Sequence, residues 1–232
     1  MTFVGVTVAW LTDPANWQGP SGIPSRVVEH LALSAAALLI ATAIALPAGL
    51  AVGHARRGQG VSVGLATVGR AIPSFALMGL VLPSFQAIDP ANGFTTYPTL
   101  FAMAALAIPP ILVNTLTGIR EVDADLVEAA RGMGFTEAAL LGRVEVPLAL
   151  PVILGGFRSA TVQVIATTTL GAILAYGGLG RYIIDGIAQR DDGMLYGGVV
   201  LVAVLAVGAE AVLAGLQRLA GGRSGEPIRA NT

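Results

Sequence analysis

Long apolar stretches alternate with short polar connections in this sequence, and this alternation restricts the fold more than any other feature. Five stretches, 31–52, 61–82, 99–119, 148–174 and 195–216, are near the ~20 residues that a helix needs to cross a bilayer. Only 12% of the chain is charged, whereas a soluble domain carries about 25%. Backbone groups in lipid must be satisfied within their own segment, so each stretch is predicted to be helical. The sequence therefore predicts an all-α integral membrane protein with about five transmembrane helices.

Arginine residues set the predicted orientation of these spans. With five spans, the connections at 53–60 and 120–147 share one side with the C-terminal segment, and together they hold most of the basic residues. The other side holds only Arg26, Arg181 and Arg190. Because basic residues favour the cytoplasm, the N-terminus is predicted outside and the C-terminus inside the cell. The aromatic residues expected at an interface fall on the outer side: Trp10, Trp17, Tyr97, Tyr176, Tyr182 and Tyr196.

The remaining residues divide the chain into three parts. Residues 1–25 contain three prolines and two tryptophans, without the basic start and compact apolar run of a signal peptide. They are predicted to form an irregular interfacial tail. Residues 26–217 form the predicted transmembrane domain, and residues 218–232 a disordered C-terminal tail.

The polar segment, residues 120–151, concentrates charge between two apolar stretches. Asp123 or Asp125 is predicted to cap a short helix that ends near residue 131. A second helix is predicted from a Thr136 cap to about residue 144, ended by Pro147. The corner between them follows from two glycines that tolerate positive φ, Gly132 and Gly134. Such a pair of helices can be gripped and moved as one body, whereas the alternative interpretation is a solvated loop.

The spacing inside the polar segment resembles a known family motif. Glu128-Ala129-Ala130 is followed by three residues, Gly134, nine more residues and Val144-Glu145-Val146-Pro147. This resembles the EAA loop of permease subunits of bacterial ABC importers. The resemblance implies the type I ABC importer permease fold and docking on a cytoplasmic ATPase dimer. The residues implied in docking are Glu128, Ala129, Ala130, Gly132, Met133, Gly134, Phe135 and Pro147.

Further segments are similar to the osmoprotectant group of these permeases, which import glycine betaine, choline, carnitine or related quaternary amines. They are 72–77, 109–115, 128–151 and 177–180. The resemblance implies a second permease subunit, identical or related, and an extracytoplasmic solute-binding protein. Alternatives remain: a permease for amino acids or methionine, a membrane scaffold or regulatory subunit without transport, or a secondary carrier.

Three charged residues fall inside predicted spans, where charge is costly. Arg70 and Glu210 lie at similar depth and are predicted to form an ion pair or to face a common pathway, whereas Arg158 is expected to face the partner subunit. The alternative is that each only fixes helix packing. Other residues assigned to the pathway or its gate are Pro73, Ser74 and Asn114.

Glycines near the end of the fourth span are candidates for receptor docking. Gly177, Gly178 and Gly180 suit a flexible outer corner that receives a loaded binding protein, or equally a plain re-entrant turn.

The sequence lacks the motifs of several other functions. It has no phosphate-binding loop, so the resemblance assigns ATP and magnesium to the partner ATPase and no catalysis to this chain. No metal-binding motif is present, there is no cysteine, and the net charge of −1 argues against nucleic acid. A quaternary amine is usually held in an aromatic cage. Since the spans contain few aromatic residues, tight capture is predicted to belong to a separate receptor.

Overall fold

The structure, a computed structural model, describes residues 2–56, 60, 64 and 73–221 of the 232-residue chain. The elements assigned in this part of the chain are helical, and none is a strand. The helices are α1 (Phe3–Thr12), α2 (Ile23–His54), α3 (Ser74–Ile88), α4 (Thr96–Arg120), α5 (Ala124–Gly132), α6 (Glu137–Leu140), α7 (Val146–Thr168), α8 (Gly180–Gln189) and α9 (Asp192–Gly221). The all-α prediction is confirmed.

Four helical stretches are long and apolar enough to cross a membrane: Ile23–His54, Thr96–Arg120, Glu137–Leu174 and Asp192–Arg218. They contain the first, third, fourth and fifth predicted spans. The second predicted span, 61–82, lies partly outside the described residues, and its described end belongs to the shorter apolar helix α3. The prediction of about five transmembrane helices agrees with this arrangement.

Small residues allow α2, α4 and α7 to pack closely, as is common between helices in membranes. A Cβ added at Gly49 of α2 would lie 2.7 Å from the Thr115 Cβ of α4. A Cβ added at Gly156 of α7 would lie 2.7 Å from the Asn114 Cβ. Alanines fill much of the buried core between the helices: Ala37, Ala41, Ala45, Ala102, Ala104, Ala107 and Ala160.

Pro109 and Pro110 lie inside α4, which continues past them to Arg120. A proline removes a backbone donor and usually bends a helix. Both prolines are buried between neighbouring helices, where proline-containing helices are tolerated. The Asn114 side chain donates to the Pro110 carbonyl oxygen at 2.8 Å. The helix therefore continues through both prolines.

The N-terminal residues are more ordered than the sequence predicted. α1 packs along the first turns of α9, where the Trp10 ring leaves no room for a side chain at Gly197. Trp10 also meets Tyr182 of α8 edge to face, with ring centroids 5.0 Å apart. The prediction of an irregular tail over residues 1–25 is wrong, because these ordering contacts come from distant parts of the chain.

The C-terminal boundary also differs from the prediction. α9 continues to Gly221, so residues 218–221 are helical, not part of a disordered tail. Residues 222–232 of the predicted tail lie outside the described residues.

The connections that the sequence assigned to one side meet at one end of the bundle, the polar end. There His54 contacts Glu145, and Arg56 donates to the Val122 carbonyl oxygen at 3.3 Å. At the opposite, aromatic end, the Tyr182 hydroxyl donates to the Ser21 carbonyl oxygen at 2.6 Å. The relative sidedness of the connections agrees with the prediction, whereas the absolute orientation stays a prediction.

Candidate functional site

The polar segment contains two short helices joined by a tight corner. The Asp123 carboxylate caps α5 by accepting from the Asp125 backbone N–H at 2.9 Å. The Thr136 hydroxyl oxygen caps α6 by accepting from the Ala139 N–H at 3.3 Å. Between the two helices, Gly134 has a φ of +86°, a conformation that favours glycine. The predicted caps are confirmed, with Asp123 as the first cap. Of the two glycines predicted to form the corner, Gly134 has a positive φ and Gly132 is helical.

A small hydrophobic cluster fixes the angle between these two helices. Val127 and Ala130 of α5 and Leu140 of α6 are buried, and Phe135 packs against them. The sequence assigned Ala130 to close contact with a partner, but its side chain faces the inside of the polar segment. The neighbouring Ala129 is exposed instead. The helical period separates these two adjacent alanines onto different faces of α5.

Apolar side chains also lie on the outer surface of the polar segment. Met133, at the corner, is 73% exposed, and Leu126 is 46% exposed. Glu128, Ala129 and Gly132 are exposed on the same short stretch. Exposed apolar side chains on an otherwise polar surface are typical of a protein contact.

Pro147 does not end the second short helix, and that prediction is wrong. A π-helical turn, Leu141–Glu145, follows α6 and leads directly into α7. Pro147 lies in the first turn of α7, where a missing N–H is tolerated. The polar segment is therefore continuous with a membrane-crossing helix.

A histidine joins the polar segment to the end of α2. His54 Nδ1 lies 2.5 Å from Glu145 Oε2, and His54 Nε2 lies 3.0 Å from Glu137 Oε2. Glu137 also accepts from Arg131 Nε at 2.9 Å and Nη2 at 3.0 Å, and this hydrogen bonding raises the pKa of Arg131. Glu145 is only 1% exposed, and among the described residues its carboxylate has His54 as its hydrogen-bond partner.

No pattern in the sequence predicted that these side chains would meet. The sequence singles out Glu145 only as a residue of the family motif, at its end over 144–147. His54 and Glu145 are 91 positions apart, so no local pattern connects them. The only sequence signal is a lone glutamate in the otherwise apolar run around 144–149.

Two of the charged pathway candidates contact each other. Arg158 Nε lies 2.9 Å from Glu210 Oε1, and Arg158 Nη1 donates to Gln217 Oε1 at 2.8 Å. The sequence paired Glu210 with Arg70, or placed both on a common pathway, and directed Arg158 toward a partner subunit. The structure places Arg158 beside Glu210, because α7 packs beside α9, and a contact of Glu210 with Arg70 stays a prediction. Arg70 lies outside the described residues.

The other pathway candidates lie at helix starts and at a helix crossing. Pro73 is the residue before α3, and Ser74 is the first residue of that helix. Asn114 lies where α4 crosses α7, against Gly156. A gating role for these residues stays a prediction.

The glycines assigned to receptor docking are held against α2. Gly178 has a φ of +79°, and its N–H donates to the Glu29 carboxylate at 2.7 Å. Glu29 also accepts from Arg26 Nη1 at 2.9 Å. Gly178 and Gly180 are buried and Gly177 is half-buried. The turn is therefore packed into the aromatic end, which leaves little glycine surface for a receptor.

The sequence of this chain is similar to those of known transport proteins. The chain is 33% identical over 193 residues to the choline transport system permease protein OpuBB of Bacillus subtilis, covering 83% of this chain and 86% of that protein. It is 34% identical over 211 residues to the osmoprotectant import permease protein OsmW of Salmonella typhimurium, covering 91% and 95%.

Solved structures give the same fold. A chain of the MetNI methionine ABC transporter in an inward-facing conformation aligns with a TM-score of 0.77 and 21% identity, covering 90% of this chain and 99% of that one. The predicted type I ABC importer permease fold is confirmed by this likeness. Residues 41–223 match the family described as binding-protein-dependent transport system inner membrane component. This chain belongs to that family of inner-membrane permeases.

Proposed function

We propose that this chain is the transmembrane permease subunit of an ATP-driven importer for choline, glycine betaine, carnitine or similar quaternary amines. The observation that carries the solute class is the similarity to permeases named for choline and for osmoprotectants over most of the chain. A carnitine transport permease of Listeria monocytogenes, 33% identical over 82% of this chain, supports the same class. The likeness to the methionine transporter, at 21% identity, supports the fold alone.

The polar segment is proposed to dock on a cytoplasmic ATPase dimer. Its exposed apolar corner at Met133 suits insertion into a partner surface. Its buried cluster around Val127 and Leu140 supports movement as one body. ATP and magnesium bind to the ATPase, since this chain has no phosphate-binding loop.

Two permease subunits, either two copies or this chain with a related one, enclose the translocation pathway in this proposal. An extracytoplasmic solute-binding protein delivers the amine at the aromatic end. ATP binding draws the two polar segments together and shifts the helices between inward-facing and outward-facing states. ATP performs vectorial work only because its binding favours one of these states over the other.

Reconstitution into proteoliposomes tests this function. The permeases, the ATPase and the solute-binding protein are assembled together, and uptake of radiolabelled glycine betaine, choline, carnitine and methionine is measured with ATP. Uptake of a quaternary amine that stops when the ATPase cannot hydrolyse ATP is the expected result. Uptake of methionine alone overturns the solute class, and uptake without ATP hydrolysis overturns the mechanism. No uptake of any solute by the full assembly favours a scaffold.

A further inference from the structure

His54 connects the end of α2 to the polar segment, which is distant from it along the chain. α2 crosses the bundle from Ile23 to His54, and its polar end lies beside the polar segment. The polar segment is covalently continuous with α4 through residues 121–123 and with α7 through the π-helical turn. It has no covalent continuity with α2. The His54 contacts therefore connect the polar segment to a third helix, alongside the hydrogen bond from Arg56 to the Val122 carbonyl oxygen.

The inner of the two His54 contacts is shielded from water, unlike an ordinary surface ion pair. Carboxylate oxygens only accept hydrogen bonds, and each ring nitrogen of His54 faces one, from Glu145 and from Glu137. A neutral imidazole has one N–H and can donate to one of the two carboxylates, whereas an imidazolium can donate to both. The His54 side chain is 19% exposed and the Glu145 side chain is 1% exposed, so water competes little for the inner contact.

The two glutamates lie on different elements of the polar segment. Glu145 closes the π-helical turn, and Glu137 begins α6. Arg131 of α5 donates two hydrogen bonds to Glu137. Four side chains therefore form a continuous series, the histidine clamp, from the π-helical turn through the end of α2 to α5: Glu145, His54, Glu137 and Arg131.

α2 also extends the connection to the opposite end of the bundle. Its Glu29 side chain accepts from the Gly178 N–H at 2.7 Å, and its Glu29 carbonyl oxygen accepts from the Tyr176 hydroxyl at 3.2 Å. A displacement of the polar segment that moves α2 therefore reaches the turn at residues 175–180.

We infer that His54 is a positioning residue for energy coupling: clamped by Glu145 and Glu137, it transmits movement of the polar segment to α2. This inference rests on the proposed docking of the polar segment on an ATPase. It assigns to the clamp neither ATPase binding nor solute binding. Loss of the clamp should leave the complex assembled and hydrolysing ATP, while less solute enters for each ATP hydrolysed.

The test compares variants of the full transporter in proteoliposomes. His54→Ala alone leaves Glu145 buried without a partner and is prone to misfolding. The variant with both His54→Ala and Glu145→Leu removes the clamp without leaving a buried charge. His54→Lys keeps a cationic donor for the two carboxylates. Asp125→Asn removes an exposed carboxylate of the same segment and is the matched control.

Three quantities are measured for each variant: the affinity for the ATPase, the rate of ATP hydrolysis and the solute taken up per ATP. In the double variant we expect unchanged ATPase affinity and a several-fold loss of uptake per ATP. His54→Lys should recover part of the uptake per ATP, and Asp125→Asn should match the wild type. Partial recovery by a different cation is not expected if His54 only fills space.

Different failures point to different conclusions. Wild-type coupling in the double variant overturns the inference and leaves the proposed function standing. Loss of ATPase affinity also overturns it, because the clamp would then serve docking. Absence of ATP-driven uptake in the wild type itself contradicts the proposed function.

Discussion

At the residue scale, the corner of the polar segment depends on a single backbone conformation. Gly134 lies in the left-handed region, with a φ of +86°. A Cβ at Gly134 would meet nothing within 4 Å, and the same is true at Gly132. Gly132 is the last residue of α5 and does not have a positive φ. The two glycines therefore differ in conformation, although both have space around them.

Replacing Gly134 with alanine should destabilise the corner, because a left-handed conformation costs an L-residue about 1–2 kcal/mol. Gly132→Ala is the matched control and should be neutral or slightly stabilising, since alanine is the better helix former. The melting temperature of the purified permease and its affinity for the ATPase are the measurements. Equal values for the two variants would show that the corner does not depend on this backbone conformation.

At the element scale, α4 and α7 are held together by a glycine contact. A Cβ at Gly156 would lie 2.7 Å from the Asn114 Cβ and 2.8 Å from the Pro110 carbonyl oxygen. A Cβ at the adjacent Gly155 would meet only Gln217 Nε2, at an ordinary 3.5 Å. The backbone at Pro110 cannot move aside as a flexible side chain can, so any added atom must separate the two helices.

Gly156→Ala should therefore lower the stability of the bundle by about 1–3 kcal/mol, the usual cost of overpacking. Gly155→Ala should change stability little, and it controls for the effect of a new methyl group in α7. Thermal unfolding in detergent, followed by circular dichroism, compares the two. A similar melting temperature for both variants would mean that α4 and α7 can separate without cost.

At the scale of the whole molecule, long-range polar contacts fix which helix ends lie together. His54 with Glu145 brings α2 to the polar segment, and Arg158 with Glu210 joins α7 to α9. In a low-dielectric environment an unpaired charge is costly, so such pairs favour one arrangement of helices over its alternatives. The polar end and the aromatic end lie at opposite ends of the bundle.

This separation predicts opposite accessibility for two engineered cysteines in a chain that has no natural cysteine. Ala91→Cys lies in the exposed connection between α3 and α4, and Met133→Cys lies at the 73% exposed corner. A membrane-impermeant maleimide should label Ala91→Cys in intact cells. Met133→Cys should react only after permeabilisation, in cells without the ATPase. The reverse pattern would place the polar segment outside the cell.

The local features of the candidate site were predictable from the sequence. The caps at Asp123 and Thr136 and the glycine at 134 follow from residue type and spacing within a few positions. The role of Pro147 was not predictable in this way. A π-helical turn before it allows the chain to continue into α7. No residue pattern in the sequence predicts such a turn.

The sequence by itself determined that this chain is helical, that it crosses a membrane and where its polar segment lies. Hydrophobicity and spacing act over one helix length, so they can be counted along the chain. Only the tertiary structure decided that Trp10 packs on Gly197, that Glu210 pairs with Arg158 and that His54 is clamped by two glutamates. These contacts join residues on different helices, and their energy depends on distance and burial that exist only once the helices have packed.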